Sequence, residues 1–163
     1  MNIVLHEPEI PQNTGNIART CLIAGAKLHL IRPLGFDTDE KSLRRAGLDY
    51  WHELDITYYD NFEDFVIKNN NPTIYMATTK ARNLHTVAYV ENPYIMFGKE
   101  SAGIPEEILV NYEETAIRIP MKPGKRSLNL ANSVAIVVYE AARQNDFANM
   151  QLEGELHRLE WKK

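Results

Sequence analysis

Ile119–Ala135 is the stretch of this chain whose residue types are best suited to bind an anion or a polar ligand. A predicted strand ends at its start, and a loop with the cations Lys122, Lys125 and Arg126 follows. Ser127 then opens a long apolar helix. The first backbone N–H groups of a helix have no partner within it, so they can bind a negatively charged or polar group. This stretch, the third segment below, therefore predicts a ligand-binding corner.

Asn13–Arg19, the first segment, reads NTGNIAR and places small polar residues at a predicted helix start. Asn13 or Thr14 can cap that helix, and Arg19 follows about one turn further along. A guanidinium at such a position can bind a phosphate or a ribose through paired hydrogen bonds. The alternative is a capped helix whose arginine faces solvent.

Phe97–Pro105, the second segment, reads FGKESAGIP and begins at the end of a predicted strand. Ligands of open α/β sheets bind at that edge, and Gly98 allows a ligand to approach the backbone closely. Gly103 permits a turn that a β-carbon would oppose, and the carboxylate of Glu100 can orient Arg19 or a loop. The alternative is an ordinary connection between a strand and a helix.

The composition describes a single globular domain of 163 residues, with 44% hydrophobic and 25% charged residues. The one cysteine, Cys21, excludes an internal disulfide, and its place in an apolar helical pattern favours a core residue over a nucleophile. The histidines show no paired ligand spacing, so we expect no metal. No apolar run approaches the ~20 residues of a membrane helix, and the first residues read as a strand rather than a signal peptide. We therefore expect a cytoplasmic protein.

The net charge of −4 argues weakly against a nucleic-acid partner, but the basic residues are clustered. They concentrate at Lys41, Arg44 and Arg45, at Lys80 and Arg82, and between Arg118 and Arg126. Because salt screens charges beyond ~8–10 Å, a locally basic face on an acidic protein can still bind phosphates. The alternative is a mixed surface that serves solubility.

Strands and helices alternate along the chain, which predicts a parallel sheet with helices on both faces. The predicted strands are Asn2–His6, Lys27–Ile31, Ile56–Tyr59, Thr73–Thr78, Tyr94–Phe97 and Thr115–Ile119. The predicted helices run from Asn13 or Thr14 to about Gly25, from Asp39 to Ala46 with Gly47 ending it, and over Phe62–Lys68, Pro105–Val110 and Leu128–Gln144. In the tail, Leu152, Leu156 and Leu159 have helical spacing and predict a docked or partly frayed helix.

The three segments together resemble the SPOUT class of RNA ribose 2′-O-methyltransferases. The matching residues are Asn13, Gly15, Asn16, Arg19, Phe97, Gly98, Glu100, Gly103, Ile104, Pro105, Ile119, Pro120, Met121, Ser127, Leu128, Asn129 and Ala131. The opening HEPEIPQNTGNIART and the stretch KSLRRAGLDYW look most similar to the short, single-domain bacterial tRNA (cytidine(34)-2′-O)-methyltransferase family.

The resemblance implies a single SPOUT domain over residues 1–163, with a C-terminal trefoil knot at about 73–146 and a tail at about 147–163. Knots are rare exceptions to the usual rules of chain topology, and periodicity does not reveal one. The resemblance also implies that S-adenosylmethionine is held by three loops. The residues that map to these loops are Ala77, Thr78, Gly98, Ile119, Ser127 and Leu128.

The implied reaction moves a methyl group from S-adenosylmethionine to the ribose 2′-hydroxyl of the tRNA wobble nucleotide, cytidine or modified uridine 34. Its partners would be the tRNA anticodon loop and a second copy of the chain, joined through the last and first helices. The catalytic residues would be Arg19, which clamps the ribose and the adjacent phosphate, and Asn129, with either that phosphate or Asn129 assisting proton transfer. Two alternatives stay open: methylation of another tRNA or rRNA ribose, and an RNA-binding module without catalysis.

Overall fold

The computed structural model describes residues 1–38 and 51–162, and in this part of the chain it forms a seven-stranded sheet. Its strands are β1 (Asn2–His6), β2 (Lys27–Ile31), β3 (Ile56–Tyr59), β4 (Ile74–Ala77), β5 (Asn83–Leu84), β6 (Tyr94–Phe97) and β7 (Ala116–Arg118). Its helices are α1 (Pro11–Ala24), α2 (Phe62–Lys68), α3 (Glu106–Leu109) and α4 (Leu130–Gln144), and Trp51–Glu53 and Glu113–Thr115 form single 3₁₀ turns. The strand order is β3-β2-β1-β6-β4-β7-β5, and neighbouring strands are parallel.

Helices cover both faces of this sheet, as the alternating pattern predicts. Successive side chains of a strand point to opposite faces. Ile3 and Leu5 of β1 pack on the side of α1 and α4, whereas Val4 packs on the side of α2 and α3. Because every residue of β1 is buried, its central residues Ile3, Val4 and Leu5 are all apolar rather than alternating with polar ones.

The sequence pattern gives most element boundaries correctly. β1, β2, β3, β6 and α2 begin and end at the predicted residues, and β4, β7 and α3 differ by one residue at each end. Asn61 caps α2 by accepting a hydrogen bond from the Asp64 N–H at 2.8 Å. Gly25 ends α1 in the left-handed conformation (φ 65°), which a glycine adopts without steric cost.

The predicted start of α1 is wrong, because the helix begins at Pro11 with Ile10 before it and without a side-chain cap. Proline is favoured at the first helical position, where its missing N–H costs nothing. Asn13 therefore lies inside the first turn, and its side chain is free for a tertiary contact. At α4 the helix begins at Leu130 rather than Leu128, with Asn129 as its cap.

Two further differences concern short or weakly packed segments. β5 has only two residues and pairs with β7, and such a short strand leaves no period in the sequence. The predicted tail helix is wrong, because residues 150–162 contain neither helix nor strand and are exposed apart from Met150. Leu152, Leu156 and Leu159 pack against no buried cluster, and a short helix without packing is marginal in water.

Some predictions fall on residues that the structure does not describe. The helix from Asp39 to Ala46, its end at Gly47 and the basic residues Lys41, Arg44 and Arg45 lie outside the described residues. In the described ranges, no helix has the length and apolar character to cross a membrane. The same ranges contain no group of histidine, cysteine, aspartate or glutamate side chains arranged to hold a metal ion.

Candidate functional site

The three segments meet at the carboxyl edge of the sheet, around a cavity of about 660 Å³. The ends of β4, β6 and β7 form its floor, and the first turns of α1 and α4 form one side. Its apolar lining includes Ile10, Phe97, Ile104, Ile117, Ile119, Leu128, Leu130 and Val137. Its polar lining includes Asn13, Thr78, Thr79, Lys80, Lys99, Glu100, Ser101, Arg126, Ser127, Asn129 and Ser133.

The structure brings seven of the eight predicted catalytic and cofactor-binding residues to this cavity. The six mapped to cofactor loops all line it, namely Ala77, Thr78, Gly98, Ile119, Ser127 and Leu128. Asn129 lines it as well. Arg19 does not lie among the lining residues.

Glu100 joins the second segment to the start of α1. Its carboxylate accepts hydrogen bonds from the backbone N–H groups of Glu9 (2.8 Å) and Ile10 (3.3 Å), and from Asn13 Nδ2 (3.0 Å). Hydrogen bonds to a carboxylate are stronger than those between neutral groups. Glu100 thus supplies from a distant loop the anchoring that α1 lacks at its own N-terminus.

Asn13 passes this connection on to the third segment. Its Oδ1 accepts a hydrogen bond from Asn129 Nδ2 at 3.0 Å, while Asn129 Oδ1 accepts from the Asn132 N–H at 3.3 Å. Glu100, Asn13 and Asn129 therefore form a relay through all three segments. Asn129 of the third segment thus contacts the first segment directly.

A second set of contacts joins the loops before α1 and after β6, and here the carboxylates belong to the loop before α1. The Glu9 carboxylate accepts hydrogen bonds from the Ser101 backbone N–H (3.0 Å) and hydroxyl (2.8 Å), and Lys99 Nζ lies 2.8 Å from Glu7 Oε2. The Ser101 hydrogen bonds lower the pKa of the Glu9 carboxyl, and the Glu7 hydrogen bond raises the pKa of Lys99. This side of the cavity is therefore held by reciprocal contacts rather than by one.

The fold of the chain itself requires a glycine at position 98. The sequence did not reveal this requirement. A β-carbon at this position would collide with the backbone of Gly103 and Ile104. Gly103 turns the chain back with φ 74°, and its N–H donates to the Lys99 carbonyl oxygen at 2.8 Å. The turn at Gly103 was predicted. The close approach to Gly98 is made by the 103–104 backbone, so the glycine is no direct sign of a ligand.

Arg19 is exposed on α1, six residues after Asn13 and therefore roughly 9 Å further along the helix axis. Among the residues that the structure describes, it has no hydrogen-bond or ion-pair partner. It shares a helix face with Leu22 and Ile23, three and four residues on, whose side chains are also exposed. In a single chain, Arg19 thus belongs to an exposed apolar face beside the cavity rather than to the cavity.

His85 is a lining residue that sequence reasoning missed. It follows β5, its N–H donates to the Arg118 carbonyl oxygen at 2.9 Å, and its Nδ1 is buried without a hydrogen-bond partner in the described structure. Because β5 was not predicted, nothing in the sequence placed His85 at this edge. Cys21 behaves as predicted: it is fully buried, and burial raises the pKa of its thiol to about 12.

Comparison with known proteins identifies the family. The model of the SpoU rRNA Methylase family matches residues 1–139. The tRNA (cytidine(34)-2′-O)-methyltransferase of Escherichia coli strain K12 is 49% identical over 146 residues, which cover 88% of this chain and 93% of that protein.

Solved structures share the fold. One concerned with the 2-OH methylation of C/U34 on tRNA superposes with a TM-score of 0.82 at 42% identity, covering 90% of this chain and 96% of that one. The AdoMet-bound rRNA methyltransferase of Sinorhizobium meliloti gives a TM-score of 0.76 at 25% identity, covering 87% of this chain and 55% of that one. With a family model matched over most of its length and a relative at 49% identity, the chain belongs to the SpoU rRNA Methylase family.

Proposed function

We propose that this protein transfers a methyl group from S-adenosylmethionine to the 2′-hydroxyl of the ribose at tRNA position 34, with cytidine or a modified uridine as the base. The observation that carries the proposal is the cavity at which the three segments meet. It is supported by family membership and by the 49% identity to an enzyme named for this reaction.

The cavity fits a nucleoside-containing cofactor. Its volume of about 660 Å³ lies within the ~300–1,000 Å³ of typical ligand pockets. The apolar walls near Ile117, Ile119 and Val137 suit a flat base, and hydroxyls such as Thr78 and Ser127 suit a ribose or a charged end.

When bound there, S-adenosylmethionine supplies an electrophilic methyl group on its sulfonium sulfur. The chain must align the ribose hydroxyl with that group and accept the loss of its proton. Asn129 lies at the cavity and keeps one amide hydrogen and one Oδ1 lone pair beyond its bonds to Asn13 and Asn132. It can therefore orient the hydroxyl, and the proton passes to a neighbouring phosphate oxygen or to water.

Arg19 serves as the clamp for the ribose and its phosphate. Because a guanidinium stays protonated in proteins, it positions and stabilises charge rather than removing a proton. Its place outside the cavity of its own chain requires a second copy of the chain. We propose a homodimer through the face formed by α1 and α4, where Leu22, Ile23, Ile136 and Tyr139 are exposed. Arg19 of one chain then reaches the cavity of the other.

The single domain over residues 1–163 and the trefoil knot at about 73–146 belong to the same proposal. The support for them is family membership and the placement of β7 and β5 beyond β4 in the strand order. A tRNA substrate and a lone reduced thiol also suit a cytoplasmic enzyme.

One experiment tests both the reaction and the dimer. Purified protein, S-adenosylmethionine and tRNA transcripts are incubated, and the nucleosides are identified by mass spectrometry. Wild-type protein should yield 2′-O-methylated nucleotide 34, whereas Arg19→Ala should lose about 10³-fold in single-turnover rate, or about 4 kcal/mol, and keep its cofactor affinity. Ribosomal RNA and tRNA with a changed position 34 serve as competing substrates.

The dimer is tested by mixing two inactive variants. Ala77→Phe should fill the cavity and prevent cofactor binding, with retained folding checked by circular dichroism. Unfolded and refolded together, Arg19→Ala and Ala77→Phe chains should regain about a quarter of wild-type activity, because half the dimers are mixed and each has one complete site. Methylation elsewhere than position 34 would overturn the substrate. No regained activity, together with a monomeric mass by light scattering, would overturn the shared site.

A further inference from the structure

Seven of the fourteen lysine and arginine side chains in the described part of the chain are paired with a carboxylate. The pairs are Lys27 with Asp55, Arg32 with Asp60, Lys68 with Asp64, Lys80 with Glu106, Arg82 with Glu113, Lys99 with Glu7 and Arg143 with Glu140. A cation that already has an acidic neighbour offers little net attraction to a phosphate. The positive charges of Lys80, Arg82 and Lys99 near the cavity are thus already offset by carboxylates.

The loop between β7 and α4 carries two lysines near the cavity that have no such neighbour in the described part of the chain. Lys122 and Lys125 are exposed and have no acidic or hydrogen-bond partner for their side chains among residues 1–38 and 51–162. The sequence from Ile119 to Asn132 contains no aspartate or glutamate. In a protein of net charge −4, this loop is therefore a local excess of positive charge.

The two lysines stand at the rim of the cavity and not inside it. Met121 before them and Arg126 after them line the cavity, whereas neither lysine does. A turn brings the two together: the Lys125 N–H lies 3.4 Å from the Lys122 carbonyl oxygen, and Gly124 between them has φ 76°. This turn, the lysine tip, presents two ammonium groups just outside the place where the methyl group would be delivered.

We propose that the lysine tip, Lys122 and Lys125, binds the tRNA phosphates that flank the methylated nucleotide. This inference rests on the proposed function. Phosphates of a bound RNA match the tip better than a small molecule in the cavity does, because neither lysine lines the cavity, whereas Arg126 does. Exposed, flexible ammonium groups suit contacts that gain affinity through counterion release rather than through fixed geometry.

The test compares the salt dependence of tRNA binding for two double variants. Lys122→Ala with Lys125→Ala should reduce the slope of log K against log[salt] by about 1.4, since each phosphate contact to a single strand contributes about 0.7. At moderate salt the tRNA affinity should fall about tenfold, while cofactor affinity and kcat at saturating tRNA stay unchanged. Charge reversal, Lys122→Glu with Lys125→Glu, should weaken binding further.

The matched control is Lys27→Ala with Lys68→Ala. It removes the same charge from two lysines that have acidic partners at the opposite end of the sheet, and it should leave the slope unchanged. An unchanged slope in the lysine-tip variant, an equal change in the control, or a loss of cofactor affinity would each overturn the inference. If wild-type protein methylates tRNA and the slope does not change, only this inference fails. If wild-type protein binds no tRNA, both it and the proposed function fail.

Discussion

Two clusters of polar side chains occupy opposite ends of the same sheet, and one of them adjoins the candidate cavity. The relay of Glu100, Asn13 and Asn129 lies at the carboxyl ends of the strands, beside open space. The buried network lies under α2, toward the amino ends, and consists of Asn2, His29, Tyr59, Asn69 and Tyr94. Both are built from amides and ionisable or hydroxyl groups.

The polar groups of the buried network form hydrogen bonds with one another. Asn2 Oδ1 is an acceptor 3.2 Å from His29 Nε2, so Nε2 carries the proton of a neutral imidazole, and His29 Nδ1 accepts from the Tyr59 hydroxyl at 2.8 Å. The Tyr59 oxygen accepts in turn from Asn69 Nδ2 at 3.1 Å, and Asn69 Oδ1 accepts from the Tyr94 hydroxyl at 3.1 Å. Every hydrogen bond stays within the fold, so this network stabilises structure.

The relay at the cavity has the opposite character. Its members are only partly buried or exposed except Asn13, and its hydrogen bonds join loops that would otherwise separate. Asn129 keeps hydrogen-bonding capacity toward the cavity. The comparison teaches that residue type does not separate a site from a structural network. What separates them is whether the polar groups use all their hydrogen-bonding capacity on one another or keep some of it free.

Among the changes that separate the two clusters, breaking the relay should have the largest effect. Glu100→Ala frees Asn13 and the Glu9 and Ile10 N–H groups, so the start of α1 loses its anchor. We expect kcat for methyl transfer to fall about 100-fold, or about 2.7 kcal/mol, with cofactor affinity changed much less. Single-turnover assays and calorimetry with S-adenosylmethionine measure the two quantities. Since Glu100 acts through Asn13, Asn13→Asp should produce a similar loss by repulsion between carboxylates, and normal kcat in both variants would contradict the relay.

A smaller effect should appear on acidification, at the other end of the sheet. Burial lowers the pKa of His29 to about 4, whereas an unfolded histidine has a pKa near ~6.5. As the pH falls below ~6.5, the unfolded chain takes up the proton first, so this contribution to stability is complete above that pH and is lost progressively toward pH 4. Between pH 7.5 and pH 5 the loss should be at most about 2 kcal/mol.

Urea unfolding of wild-type protein and of His29→Gln at the two pH values measures this loss. The glutamine variant does not titrate there and should show a flatter pH dependence. Burial also lowers the pKa of His6, so some acid sensitivity should remain in the variant. Equal pH dependence in both proteins would mean that His29 is not held neutral by the fold.

The smallest effect expected is from Tyr59→Phe. The change removes the hydroxyl that donates to His29 Nδ1 and accepts from Asn69, and it leaves the buried His29 Nδ1 without this donor. We expect the free energy of unfolding to fall by about 1–1.5 kcal/mol, while kcat and tRNA affinity stay at wild-type values. A loss of activity without a loss of stability would place this network in the functional site and end the contrast between the two clusters.

Much of the fold follows from local pattern. The limits of β1, β2, β3 and β6 are given by short apolar runs between turn residues, and the ends of α2 by its Asn61 cap. The three polar segments are also visible, because their residue types and their order stand out along the chain. Such features depend on residues a few positions apart, and the sequence shows these local patterns directly.

The sequence by itself determined the parallel α/β architecture, the three segments and the burial of Cys21. Only the tertiary structure decided that the start of α1 is anchored by a carboxylate about ninety positions away, at Glu100. The tertiary structure also decided that Gly98 is required by the 103–104 backbone, and that Lys99 is paired while Lys122 is not. These outcomes depend on contacts between segments far apart in the chain. Which side chains meet there depends on the fold and not on their spacing in the sequence.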